Sequence, residues 1–189
     1  MNPLAGTLKS LVSVLERLGI PFAIGGSMAS SARGVVRSTL DVDIVAAITA
    51  QHADRLAAEL GRDWYADPEQ MRQSIAARRA FNLIHIRLGN KVDIFPATGE
   101  FHCMQLQRAS RMEIPFLDDS TEYPVVTAED ILLAKLRWYK DSGEQSERQW
   151  RDIAGIVAAN PAMDIDYLDR WASALGLADL LARALKITP

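Results

Sequence analysis

Apolar residues recur at helical spacing near the start of the chain. Leu8, Leu11, Val12, Leu15 and Leu18 fall on one face and predict an amphipathic helix. Gly19-Ile20-Pro21 stops it, and Phe22-Ala23-Ile24 reads as a short strand. Gly25-Gly26 then turns the chain into a short helix of small residues, Ser27 to Arg33. A polar connection, Arg37-Ser38-Thr39, leads into the β-like run Asp41 to Ala46. Thr49 suits the cap of a helix that ends at Leu60-Gly61, whereas residues 69–79 fit either a helix or a mobile arm. Phe81 to Leu88 alternates as a strand. Gly89-Asn90 has the form of a two-residue hairpin, with Lys91 to Phe95 returning and Pro96 closing the strand. Short strands are predicted near Glu113–Phe116 and Tyr123–Val126, and the signals thin out between Ala97 and Ser110.

The pattern changes at Thr127. Thr127-Ala128-Glu129-Asp130 resembles a capping box, and helices are predicted near 128–141, 147–159, 164–175 and 177–185. The expected architecture is α/β (α+β): a mixed β-sheet core with flanking helices over 1–126, then a C-terminal helical bundle over 127–189. At 189 residues, with 49% hydrophobic and 24% charged, the chain suits one compact domain or a small domain plus an appendage. No apolar run approaches the roughly 20 residues needed to span a bilayer. The start of the chain lacks the basic residues and cleavage site of a signal peptide. Cys103 is the sole cysteine, which excludes an intrachain disulfide or a cysteine zinc cluster, and it reads more readily as a packing residue than as a reactive thiol. A cytoplasmic protein with no membrane partner is expected.

A net charge of −3 argues against simple coating of nucleic acid. Charge is nevertheless uneven. Between Glu69 and Arg111, seven basic residues (Arg72, Arg78, Arg79, Arg87, Lys91, Arg108, Arg111) face three acids (Glu69, Asp93, Glu100), and the acidic stretch Asp118, Asp119, Glu122 follows. Two readings stay open: ordinary surface charge, or a lip that draws a polyanion toward an acidic site.

The residues with chemical potential are Asp41 and Asp43. Two positions apart on a strand, they project from the same face. Like charges this close repel, and a divalent cation relieves them; hard oxygen ligands suit Mg2+ or Mn2+. Alone, Asp-x-Asp is a weak motif and fits a solvated strand end equally well. Gly25-Gly26 upstream strengthens it, because absent Cβ atoms let a phosphate approach the backbone amides, and Ser27 adds a hydroxyl. Asp93, in the apolar strand Val92-Ile94-Phe95, is the candidate third carboxylate, as metal ligand or base. The competing reading pairs it with an arginine such as Arg87.

Lys135 shares a helix face with Ile131, Leu132, Trp138 and Tyr139, which points it along a cleft wall. It fits a phosphate clamp or a snorkelling lysine, and Asp152 either orients it or forms an ion pair with it. His52, His85 and His102 lack zinc-ligand spacing, and Trp138, Trp150 and Trp171 read as packing in the helical region.

Gly25-Gly26-Ser27, followed by Arg37-Ser38-Thr39-Leu40-Asp41-Val42-Asp43-Ile44, resembles the signature of the polymerase-β-like nucleotidyltransferase superfamily. Within it, the likeness is to the AbiEii-like toxin group and its stand-alone relatives. Lys135 in Leu133-Ala134-Lys135-Leu136 and Asp152 in Arg151-Asp152-Ile153 look like the later helical motifs of that group. The resemblance covers roughly residues 20–155 and is specific only in combination. It implies a nucleotidyltransferase that moves a nucleoside monophosphate from an NTP to a hydroxyl acceptor, with Mg2+ (or Mn2+) on the aspartates. In that reading Asp41, Asp43 and Asp93 are catalytic and metal-binding, and Gly25, Gly26, Ser27, Lys135 and Asp152 hold the nucleotide. An AbiEii-like member implies a tRNA or protein acceptor and a toxin neutralised by a cognate antitoxin. The alternatives are a silent nucleotide-binding module of the same fold and a small-molecule, antibiotic-type nucleotidyltransferase.

Overall fold

The structure is a computed structural model that describes residues 2–34, 41–117 and 120–186. Helix α1 (Pro3–Arg17) starts where the Asn2 side chain accepts the Leu4 amide at 3.0 Å and a proline occupies the first turn, which has no use for its missing N–H. Its buried face holds Leu4, Leu8, Leu11 and Leu15, each worth roughly 1.5–3 kcal/mol of burial. Gly19, at φ +65°, ends it, and the Ile20 amide returns to the Leu15 carbonyl. Strand β1 (Phe22–Ile24) is wholly buried and turns through Gly25 into α2 (Gly26–Ala32). Strand β2 (Val42–Ala46) follows, then a 3-10 turn capped by Thr49 and His52, and α3 (Ala53–Leu60).

The two-residue β3 (Trp64–Tyr65) precedes α4 (Pro68–Ala76), β4 (Phe81–His85) and β5 (Asn90–Pro96). Next come α5 (Glu100–Arg108), β6 (Ser110–Glu113) and β7 (Glu122–Val125). The chain ends in α6 (Ala128–Asp141), α7 (Glu147–Ala159), α8 (Ile165–Ala174) and α9 (Ala178–Leu185). Among the described residues the strands form one mixed sheet in the order β3-β4-β5-β2-β1-β7-β6, parallel at β2/β5 and β1/β7 and antiparallel elsewhere. A mixed sheet with flanking and C-terminal helices is the architecture expected from the sequence. Leu132, Leu133 and Leu136 of α6 join Leu8, Ile24, Met28 and Ile44 in one apolar core. No helix among the described residues is long and apolar enough to cross a membrane.

Local expectations are corrected in three places, and two open stretches resolve into helices. Strand β4 stops at His85 because that ring is buried against Trp64, and the Ile86 amide bonds to Asp63 instead of to β5. His85 therefore pairs with Asn90, and the hairpin turns through residues 86–89 instead of the two-residue Gly89-Asn90. The strand expected at 113–116 lies earlier, since Pro115 opens a 3-10 turn. The unreadable stretch 97–110 contains α5, whose only buried residues are Phe101 and Gln105, too few to set an apolar stripe. Residues 69–79 resolve into α4, capped by Asp67.

Candidate active site

Strand pairing builds the site. Ile24 lies opposite Ile44 across the antiparallel β1/β2 pair, and just beyond it the Gly25 amide donates to the Asp43 carbonyl at 2.8 Å. That bond folds the glycine turn back onto Asp43. Gly26 has φ +56°, and a Cβ there would lie 1.7 Å from Asp43 Oδ2. Only glycine fits, because both the backbone conformation and the space reject a side chain. On the other side of β2, the parallel pairing with β5 sets Asp43 in register with Asp93. In-register neighbours point to the same face on strands roughly 4.8 Å apart. Asp41, exposed, precedes β2.

The electrostatics follow from this crowding. The Asp43 carboxyl is pushed up to about 6, first by burial and then by Asp93 and Asp41, with Lys135 and Lys91 pulling the other way. Asp93 has a cation of its own. Lys91, two residues earlier on β5 and so on the same face, places Nζ 2.8 Å from Asp93 Oδ2. That hydrogen bond holds the Lys91 ammonium above its usual range. Arg87, the partner considered from sequence, pairs instead with Asp63 at 2.6 Å. Among the described residues no group of three or more His, Cys, Asp or Glu side chains is arranged to hold a metal ion.

The opposite wall is helical. Lys135 on α6 reaches Asp152 on α7 at 3.4 Å, and its charge acts on Asp43. Between the walls lies a cavity of about 480 Å³, the size of a small-ligand pocket. Ser27, Asp41, Asp43, Lys91 and Asp93 line its sheet side. Trp138, Ser146, Arg148, Gln149 and Asp152 line its helical side. Trp138, expected as packing, is 64% exposed at this cavity. A signal was available, since it lies three residues after Lys135, but apolar residues on the same face made it look like core. Lys91 was also missed as a site residue, although its i, i+2 spacing from Asp93 places both on one strand face.

The other candidates separate from the site. His85 packs on Trp64, His52 completes the Thr49 capping box, and His102 Nδ1 lies 2.7 Å from the Thr98 carbonyl. Cys103 is exposed and is not a packing residue. Trp150 packs on Tyr139 and Trp171 on Phe101. Of the seven basic residues in that stretch, Arg72, Arg87, Lys91, Arg108 and Arg111 each have an acidic partner. Arg37, Ser38, Thr39 and Leu40 of the approach to Asp41, and Asp118 and Asp119 of the acidic stretch, lie outside the described residues.

No family model matches the sequence, and no curated protein matches it significantly. Solved structures do resemble its fold. The antibiotic-resistance factor ANT(2'')-Ia superposes with a TM-score of 0.54 at 13% identity, covering 95% of this chain and 94% of its own. The complex of ANT(2'')-Ia with adenylyl-2''-tobramycin gives 0.53 at 13% identity, over 91% and 96%. The fold is that of a nucleotidyltransferase. The lincosamide antibiotic adenylyltransferase LnuA, bound to lincomycin, is also similar, with a TM-score of 0.50 at 18% identity over 80% of this chain and 95% of its own. Within this chain the Gly25–Asp43 bond and the β2/β5 register bring the glycine turn, Asp43 and Asp93 together.

Proposed function

We propose that the protein transfers a nucleoside monophosphate from an NTP to a hydroxyl acceptor. The observation that carries this is the contact between the glycine turn and Asp43, with Asp93 in register beside it. A tight glycine turn, its Gly25 amide held by the Asp43 carbonyl, abuts a carboxyl that burial and neighbouring acids push up. The donor set fits a divalent ion: Asp41 and Asp43 offer hard oxygen, and Mg2+ takes one or two protein carboxylates with substrate phosphates. Bound there, the ion would neutralise developing charge on the phosphates.

The chain's own residues supply the rest. The Gly25-Gly26 turn and the Ser27 hydroxyl hold the triphosphate, and Lys135, steadied by Asp152, clamps a phosphate from the helical wall. Asp93 accepts the acceptor's hydroxyl proton. The oxygen then bonds to the α-phosphorus, the bond from that phosphorus to the bridging oxygen breaks, and pyrophosphate leaves.

For the acceptor, a small molecule is favoured by a specific observation: a cavity of about 480 Å³ walled by an exposed tryptophan, in a fold shared with antibiotic-modifying proteins. A tRNA or protein acceptor, with an antitoxin as partner, is the reading drawn from the AbiEii-like motif. Incubation with Mg2+, each labelled NTP, and tRNA, cell protein or aminoglycoside and lincosamide acceptors separates them. Label should reach one acceptor class and be lost with Asp41→Asn plus Asp43→Asn. NTP binding without transfer to any acceptor would instead indicate a silent nucleotide-binding module.

A further inference from the structure

Lys91 is the charged group on the sheet side of the cavity to which the transfer reaction set out above gives no task. Its position is specific. Alternation along β5 puts it on the same face as Asp93, and its Nζ lies 2.8 Å from Asp93 Oδ2. Lys91 is 44% exposed and Asp93 20%, so a flexible side chain is ordered onto the less exposed acid. Ordering a lysine costs rotamer freedom, which the charge-assisted bond must offset. The same acid stands in register with Asp43, yet the carboxylates do not form a three-ligand metal group.

Resting on the transfer reading, we infer that Lys91 takes the place of a second metal ion. Its ammonium occupies the coordinating side of Asp93, so the site holds one divalent ion, on Asp41 and Asp43. A second divalent ion would have to displace the ammonium from Asp93 and then sit beside it. Lys91 is therefore a positioning residue. It holds Asp93 aimed at the acceptor and out of the metal's coordination shell.

Counting metal tests this apart from turnover. Mn2+ is titrated into the protein saturated with a non-hydrolysable NTP analogue, and bound ion is read by electron paramagnetic resonance. The wild type and Lys91→Arg should bind one Mn2+ per chain. Lys91→Met should bind two, and Lys91→Met with Asp93→Asn should return to one. Two ions in the wild type, or one in Lys91→Met, overturns the inference while leaving nucleotidyl transfer intact. If the wild type binds neither analogue nor Mn2+, the transfer reading fails and the inference with it. If Lys91→Met does not fold, Lys91→Gln, which also lacks the charge, is counted in its place and should bind two.

Discussion

Gly26 shows how one residue links fold to chemistry. At φ +56°, with a Cβ position 1.7 Å from the Asp43 carboxylate, it leaves room for no other residue. Gly26→Ala should abolish nucleotidyl transfer and destabilise the fold by about 1–3 kcal/mol, the scale of a forced left-handed residue, as read by denaturant unfolding. Asp43 exposes the opposing cost. The unfolded chain releases its proton near 3.8 and the folded protein near 6, so between those values the native state binds more protons. Stability therefore falls as pH rises from about 4 to about 6 and is level above that. Asp43→Asn removes the penalty. It should gain about 1–3 kcal/mol at pH 7.5, shrinking toward zero near pH 4, while transfer is lost. An unchanged melting temperature at pH 7.5 would mean that Asp43 is not crowded by its neighbours.

At the scale of elements, the two walls make separable contributions. Trp138 is exposed on α6, so Trp138→Ala should leave stability within about 0.5 kcal/mol while raising the KM for one substrate several-fold. A loss of stability without a change in KM would make it a packing residue after all. Helix α8 is tied to α6 by a buried bond, in which the Tyr167 hydroxyl donates to Asp130 Oδ1 at 2.6 Å. Tyr167→Phe should cost about 1–3 kcal/mol by leaving that carboxylate a donor short, measured by urea unfolding. These helices were legible in the sequence because α6, α8 and α9 each bury three or more residues on one face, and α6, α7 and α8 start at polar caps, Thr127, Ser146 and Asp164. Helix α5 was not legible, since a short helix that buries only Phe101 and Gln105 leaves no periodic trace. Strand β4 read too long because Ile86 and Leu88 continue the alternation into an exposed turn.

Across the whole molecule, the sheet order brings together groups far apart in sequence. The sequence identified Asp41, Asp43 and Asp93, yet only the parallel β2/β5 register sets Asp43 beside Asp93. The ion pair between Lys91 and Asp93 could be placed on one face by spacing, but its choice over Arg87 depends on Asp63 engaging Arg87. Trp138 shares a helix face with Lys135, but its apolar neighbours there masked its place at the cavity. The central claim, that this site moves the α-phosphoryl group, has a direct measurement. NTP labelled at the α- or at the γ-phosphate is incubated with Mg2+ and the acceptor panel. The α-label should be transferred to the acceptor and the γ-label released in pyrophosphate, both ceasing with Asp41→Asn plus Asp43→Asn. Transfer of the γ-label, or α-transfer that survives those substitutions, would contradict the account.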